Sequence, residues 1–130
     1  MFIDTSAIIA ILAREPDALD FIARIEAASV RLTSVLVILE AAMRLSSLLR
    51  IEPVAVGREI DAFLAEARVD LVPMDAHVGQ LAIAAFAAYG KGRGHPVQLN
   101  LADCLSYACA KAQGVPLLYK GADVSRTDLA

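Results

Sequence analysis

An α/β domain with a central parallel sheet is the fold class this chain predicts, because apolar runs of strand length alternate with longer segments of helical periodicity. Its 130 residues suit one domain spanning 1–130, since two halves would each bury too small a core. No internal repeat, low-complexity tract or long linker breaks the alternation.

The first strand is read at Met1 to Ile3 and the first helix at Ser6 to Ala13, a stretch apolar enough to be buried. Glu15-Pro16 places a proline in the first turn of a helix from Pro16 to Ala27. A strand at Val30 to Thr33 leads into a long helix from Val35 to Leu49, and another helix follows at Val54 to Ala67. After a strand at Val69 to Val72, Asp75 is placed to cap a helix from Ala76 to Tyr89 carrying Val78, Leu81 and Ile83. The polar loop Gly90-Lys91-Gly92-Arg93-Gly94-His95-Pro96 precedes a helix from Leu101 to Gln113, which Gly114 ends before a last strand at Pro116 to Leu118.

Composition removes several function classes. Arg14, Arg24, Glu40 and Arg44 interrupt every apolar stretch before it reaches the roughly 18 to 20 residues of a membrane-spanning helix. The N-terminus has no basic segment of the secretory type and an acid at its fourth residue, so a cytoplasmic protein is expected. Cys104 and Cys109 lie about 140° apart around one helix, which suits neither a disulfide nor a metal clamp. A formal charge of −3 offers no bulk attraction for nucleic acid, so any such contact must be local. Apolar residues make up 58% of the chain, which implies that some apolar surface faces a partner.

The chemistry-bearing residues are acids set in apolar surroundings. Asp4 ends the run Met1-Phe2-Ile3 and precedes a buried helix, so it is either the N-cap of that helix or a ligand at the carboxyl end of a strand. Glu40 sits in a long apolar helix, where it is either solvated and paired with Arg44 or directed at a site beside the core. Asp103 follows Asn100 by three residues, the spacing of a reciprocal capping pair, and a helix N-terminus also gathers anions. Asp123 follows the last strand, with Asp128 in reserve. Several carboxylates in one place suit a hard divalent cation such as Mg²⁺, and with two histidines in the chain zinc ligation is not expected.

Phe2-Ile3-Asp4-Thr5-Ser6-Ala7, Glu40 on a helix after a strand, Leu99-Asn100-Leu101-Ala102-Asp103-Cys104, Leu117 through Asp123, and Arg126-Thr127-Asp128 follow one another in an order that resembles the PIN-domain ribonucleases. Within them the chain is most similar to the VapC toxins of bacterial toxin–antitoxin modules. The resemblance implies a three-layer α/β/α domain, a Mg²⁺- or Mn²⁺-dependent endoribonuclease acting on RNA, a homodimer, and silencing by a VapB-like antitoxin. It also implies that Asp4, Glu40 and Asp103 bind metal, that Asp123 is a fourth acid, and that Thr5 or Ser6 is a polar neighbour, with Asn100 in support. Ala102 stands where the family often has glycine, Val124 where phenylalanine commonly follows the last aspartate, and Gly94 is an extra glycine in its loop. These departures leave Asp123 and Asp128 as alternatives for the fourth corner.

RNA contact is expected at Lys91, Arg93, His95 and Lys120, although the loop itself contains no Phe, Tyr or Trp for base stacking. The stripe Leu36, Leu39, Met43 and Leu48, with the helix from Pro16, is a candidate surface for antitoxin or dimer contact, while the ordinary place for such a stripe is the core. Two alternatives to a ribonuclease are a receiver-type signalling domain and a catalytically inactive PIN-like binding module. The first requires an acidic pair soon after the first strand and an aspartate ending the third, where this chain offers only Asp70 near that strand's start.

Overall fold

The computed structural model describes residues 1–121 and Asp128. Among them, four two-residue strands form one parallel sheet: β1 (Phe2–Ile3), β2 (Leu32–Thr33), β3 (Asp70–Leu71) and β4 (Leu117–Leu118), in the order β3-β2-β1-β4. Phe2 pairs with Leu32 on one side and Leu117 on the other, and Leu32 pairs with Asp70. The pairing continues past the strand ends, with Phe2 N–H donating to Pro116 O at 2.8 Å, Asp4 N–H to Leu118 O at 3.0 Å, and Leu32 N–H to Met1 O at 2.8 Å. β1 is thus an interior strand, and Phe2 and Ile3 are wholly buried.

Six helices flank this sheet, in agreement with the three-layer α/β/α expectation: α1 (Thr5–Leu12), α2 (Ala18–Ala27), α3 (Val35–Leu49), α4 (Pro53–Glu66), α5 (Ala76–Tyr89) and α6 (Leu101–Gln113). The chain steps outward from β1 to β2 to β3, then returns through α5 and α6 to lay β4 on the other side of β1. The strand order therefore reverses beside β1, and in open parallel sheets such a reversal opens a crevice at the strands' carboxyl ends.

Local chemistry explains most boundaries. α1 is apolar nearly all round and is buried nearly all round, from Ala7 to Ile11. Ser34 caps α3 through Val37 N–H, Asp75 caps α5 through Val78 N–H, and Gly114 ends α6 in the left-handed conformation at φ +65°. α1 and α4 begin one residue earlier than expected, at Thr5 and Pro53, and α2 begins two later, at Ala18 and not Pro16, because Ala18 N–H closes a turn onto Glu15 O first. Arg31 ties the entry of β2 to two helix ends, donating to Ala28 O, Glu26 O and Ala67 O.

The core joins Phe2, Ile3, Ile8, Ile25, Leu45, Ile60, Leu99 and Leu118. α3 enters it through Val37, Ala41 and Leu45, so the ordinary core placement does not apply to the neighbouring stripe. Leu39, Met43 and Leu48 are exposed at 58%, 62% and 61%, with Leu36 half-buried. Cys104 and Cys109 are free and buried, and burial pushes the Cys109 thiol up to about 11. Among the described residues no helix is long and apolar enough to cross a membrane.

Truncating Phe2 to alanine is expected to remove about 3 to 5 kcal/mol of stability, whereas Met43→Ala should change it by no more than about 0.5 kcal/mol. Urea unfolding midpoints of the two variants check both values.

Candidate active site

Asp4 leaves β1 in an extended conformation and caps α1, with Ser6 N–H donating to its Oδ2 at 3.3 Å and the Ser6 hydroxyl donating to the same oxygen at 2.8 Å. The Ser6 oxygen in turn accepts from Lys120 N–H at 2.8 Å. One hydroxyl thereby joins the start of α1, the buried carboxylate and the chain just past β4. Asp4 is 8% exposed and, among the described residues, has no ion-pair partner. Both readings of Asp4 as a helix cap and as a site acid are compatible with this geometry, since both hydrogen bonds fall on Oδ2.

Glu40 lies midway along α3 and is half-buried. Among the described residues no ion pair joins it to Arg44, one turn further on. Asp103 occupies the first turn of α6 and forms the reciprocal cap expected with Asn100: Asp103 N–H donates to Asn100 Oδ1 at 2.9 Å, and Asn100 N–H donates to Asp103 Oδ2 at 3.1 Å.

These three acids, from β1, α3 and α6, line a single cavity of about 230 Å³ at the carboxyl ends of β1 and β4, beside the reversal of strand order. Thr5, Ser6, Asn100 and Lys120 line it as well, and so do Arg44 and Tyr119. The sequence offers Arg44 as an ion-pair partner for Glu40 and gives neither it nor Tyr119 a place at the site. The available signal was position, since Tyr119 immediately follows β4 and ligands gather at the carboxyl ends of parallel strands.

The donor set suits a hard cation that keeps its waters. Among the described residues no three acids, histidines or cysteines gather closely enough to clasp an ion by themselves. Mg²⁺, however, is ordinarily held by one or two carboxylates with water and phosphate completing its shell. The Thr5 hydroxyl oxygen, buried on the cavity wall with no hydrogen-bond partner among the described residues, is a polar group that such a hydrated ligand would satisfy. The residues present therefore fit Mg²⁺ or Mn²⁺.

Lys120 reaches back to pair with Glu15 and with Asp17, the latter at 3.2 Å, and the hydrogen bonds it donates, first to Glu15 and then to Asp17, raise its pKa. Asp123 lies outside the described residues. Asp128 accepts from the Tyr107 hydroxyl and pairs with Lys111 in the last turn of α6, the opposite end from Asp103. Its pKa is lowered chiefly by Lys111 and then by Tyr107, and it does not line the cavity.

The loop between α5 and α6 is held by its own hydrogen bonds. Lys91 N–H donates to Leu99 O at 3.0 Å, Gln98 donates to His95 O at 2.8 Å, and His95 Nδ1 accepts from Val97 N–H at 3.0 Å while its ring meets the Tyr89 ring edge-on. His95 is thus engaged in loop structure. Aromatic residues do border the loop cations: Tyr89 precedes Lys91 by two positions, and the Arg93 guanidinium lies over the Phe86 ring of α5, 5.8 Å from its centroid.

The PIN domain family model matches residues 1–129. Ribonuclease VapC30 of Mycobacterium tuberculosis is 48% identical over 130 residues, covering 100% of this chain and 96% of its own. Ribonuclease VapC of Mycolicibacterium smegmatis is 45% identical over 100% of this chain and 98% of its own, and a VapC ribonuclease of Rhizobium meliloti is 40% identical over 98% of each. The crystal structure of Mycobacterium tuberculosis VapC20, a sarcin-ricin loop cleaving toxin, superposes with a TM-score of 0.75 at 19% identity, covering 99% of this chain and 95% of that one, which shows a shared fold. With its parallel sheet, its acid-lined cavity at the strand ends and relatives matched along their whole length, the chain belongs to the PIN domain family and, within it, to the VapC ribonucleases.

Proposed function

We propose that this protein is a Mg²⁺- or Mn²⁺-dependent endoribonuclease, the toxin of a toxin–antitoxin pair, acting in the cytoplasm as a homodimer and silenced by a VapB-like antitoxin. The observation that carries the reading is the convergence of Asp4, Glu40 and Asp103, separated by 36 and 63 positions in sequence, on one small polar cavity. The exposed apolar stripe of α3, next to that cavity, supports the expectation of a protein partner.

Asp4, Glu40 and Asp103 would hold the metal, directly or through its coordinated waters, and Asp123 would serve as the fourth acid. Asp128 is the weaker alternative because Tyr107 and Lys111 already engage its carboxylate. When bound, a divalent cation neutralises charge on the scissile phosphate and lowers the pKa of a coordinated water. Ser6 holds Asp4 in place through Oδ2, the Thr5 hydroxyl donates to a water or phosphate oxygen entering the cavity, and Arg44 on its wall offsets phosphate charge, while the Lys120 ammonium is engaged by Glu15 and Asp17. Cleavage leaves a 5′-phosphate and a 3′-hydroxyl.

Asp4→Asn, Glu40→Gln and Asp103→Asn should each lower RNA cleavage by about 100-fold or more, and EDTA should abolish it in the unaltered protein. Sequencing of the cut ends and denaturation curves accompany the rates; a 2′,3′-cyclic phosphate product, or full activity in these variants, would refute the mechanism.

Ser6→Ala, which removes the hydroxyl's bond to Asp4 together with the one it accepts from Lys120 N–H, should cost about 10- to 100-fold in metal affinity or activity. Metal titrations of cleavage rate, compared between this variant and the parent, measure it.

Changing Lys91 and Arg93 together to alanine should weaken cleavage at moderate salt and flatten its salt dependence by about 0.7 per lost phosphate contact. An unaltered rate and slope would remove the loop from RNA binding.

A further inference from the structure

A second, apolar cavity of about 520 Å³ lies between α5, α6 and the loop joining them, lined by Ile83, Phe86, Leu99, Leu101, Cys104 and Leu105. Three of these side chains are open to solvent, with Ile83 71%, Phe86 47% and Leu101 78% exposed. Two features of its rim are not apolar. Lys91 stands on one side, and Asn100 on another, where it also lines the acid cavity.

The Phe86 ring is held although it is half open. Gly90 packs so closely on it that a methyl group there would sit 2.3 Å from Cδ1, and Arg93 lies over the ring within the range of a cation–π contact. A positioned ring with a guanidinium over it, and Lys91 on the same groove, suits an unpaired nucleobase, since a base stacks on aromatic and guanidinium planes and Lys or Arg meets the flanking phosphates.

We propose that this groove is a base-binding subsite, in which an unpaired nucleobase of the RNA stacks on Phe86 while the phosphodiester beside that nucleotide lies in the acid cavity across Asn100. The inference rests on the ribonuclease reading and adds to it a demand for single-stranded or splayed-out RNA. Charge complementarity favours RNA among the occupants of an apolar groove: Lys91 lines this groove and the Arg93 guanidinium lies over its Phe86 ring, and both would face a polyanion. A wholly apolar helix from a protein partner would leave those cations without a counter-charge, and a second copy of this chain is the rival that sedimentation of the Phe86→Ala protein separates.

The chain contains no tryptophan, so Phe86→Trp introduces a single indole reporter in the groove. A short mixed-sequence single-stranded RNA, titrated without divalent cation so that it stays intact, should quench that indole, and an abasic ribose-phosphate chain of the same length should not. In the otherwise unaltered protein, Phe86→Ala should lower RNA affinity about fivefold or more and leave affinity for the abasic chain unchanged. Phe86→Leu, which restores apolar volume without a π-face, should not recover the loss. Recovery by leucine, or equal quenching by the abasic chain, overturns the subsite. So does a Phe86→Ala protein that binds RNA normally but sediments as a smaller species, because the groove is then an interface between copies. The two readings fail separately: loss of cleavage in Asp4→Asn with no effect at Phe86 leaves the ribonuclease standing and removes only the base site.

Discussion

A carboxylate that is almost wholly buried at the end of an interior strand must be answered by hydrogen-bond donors, and here the answer comes mainly from one hydroxyl. Ser6 donates to Asp4 Oδ2 and accepts from Lys120 N–H, so the junction of β1 with α1 is fastened to the segment leaving β4. Around this knot the backbone agrees, since Asp4 N–H donates to Leu118 O. The reversal of strand order between β1 and β4 leaves no connection crossing above it. A crevice opens there, and Glu40 and Asp103 line it with Asp4.

Several of these residues hold the fold and shape the site with the same atoms. Asp4 caps α1, and Asp103 closes a capping box with Asn100, yet both line the cavity. Helix N-termini make this possible because their unpaired N–H groups and dipole stabilise a carboxylate without consuming all of its acceptor capacity. The structural role lowers the cost of keeping acids near one another, and binding of a cation would lower it further. Cations are distributed differently. Lys120 is drawn aside by Glu15 and Asp17, whereas Lys91 and Arg93 belong to a loop braced by its own hydrogen bonds and by Phe86.

Apolar surface follows a similar division. α3 buries Val37, Ala41 and Leu45 and turns Leu39, Met43 and Leu48 outward, and α5 and α6 leave a second open patch at Ile83, Phe86 and Leu101. Both patches border the acid cavity, one through the helix of Glu40 and the other through Asn100. Exposed apolar area of this kind marks contact surfaces, and both patches lie beside the acids of the cavity.

The linear sequence was sufficient for the elements, the parallel α/β class and the acids, because strand and helix periodicities, caps such as Ser34 and Asp75, and isolated carboxylates in apolar runs are local properties. It was also sufficient for the reciprocal cap of Asn100 and Asp103, which depends only on a spacing of three. Tertiary structure alone decided which side of α3 meets the core, since a helix apolar on more than one face does not state which face is inside. It decided that Asp128 turns to Tyr107 and Lys111 and that Arg44 and Tyr119 face the acids, because these contacts join elements distant in sequence. The same holds for Phe86 and Arg93, seven positions apart along the chain, whose contact depends on the path of a loop that no periodicity predicts.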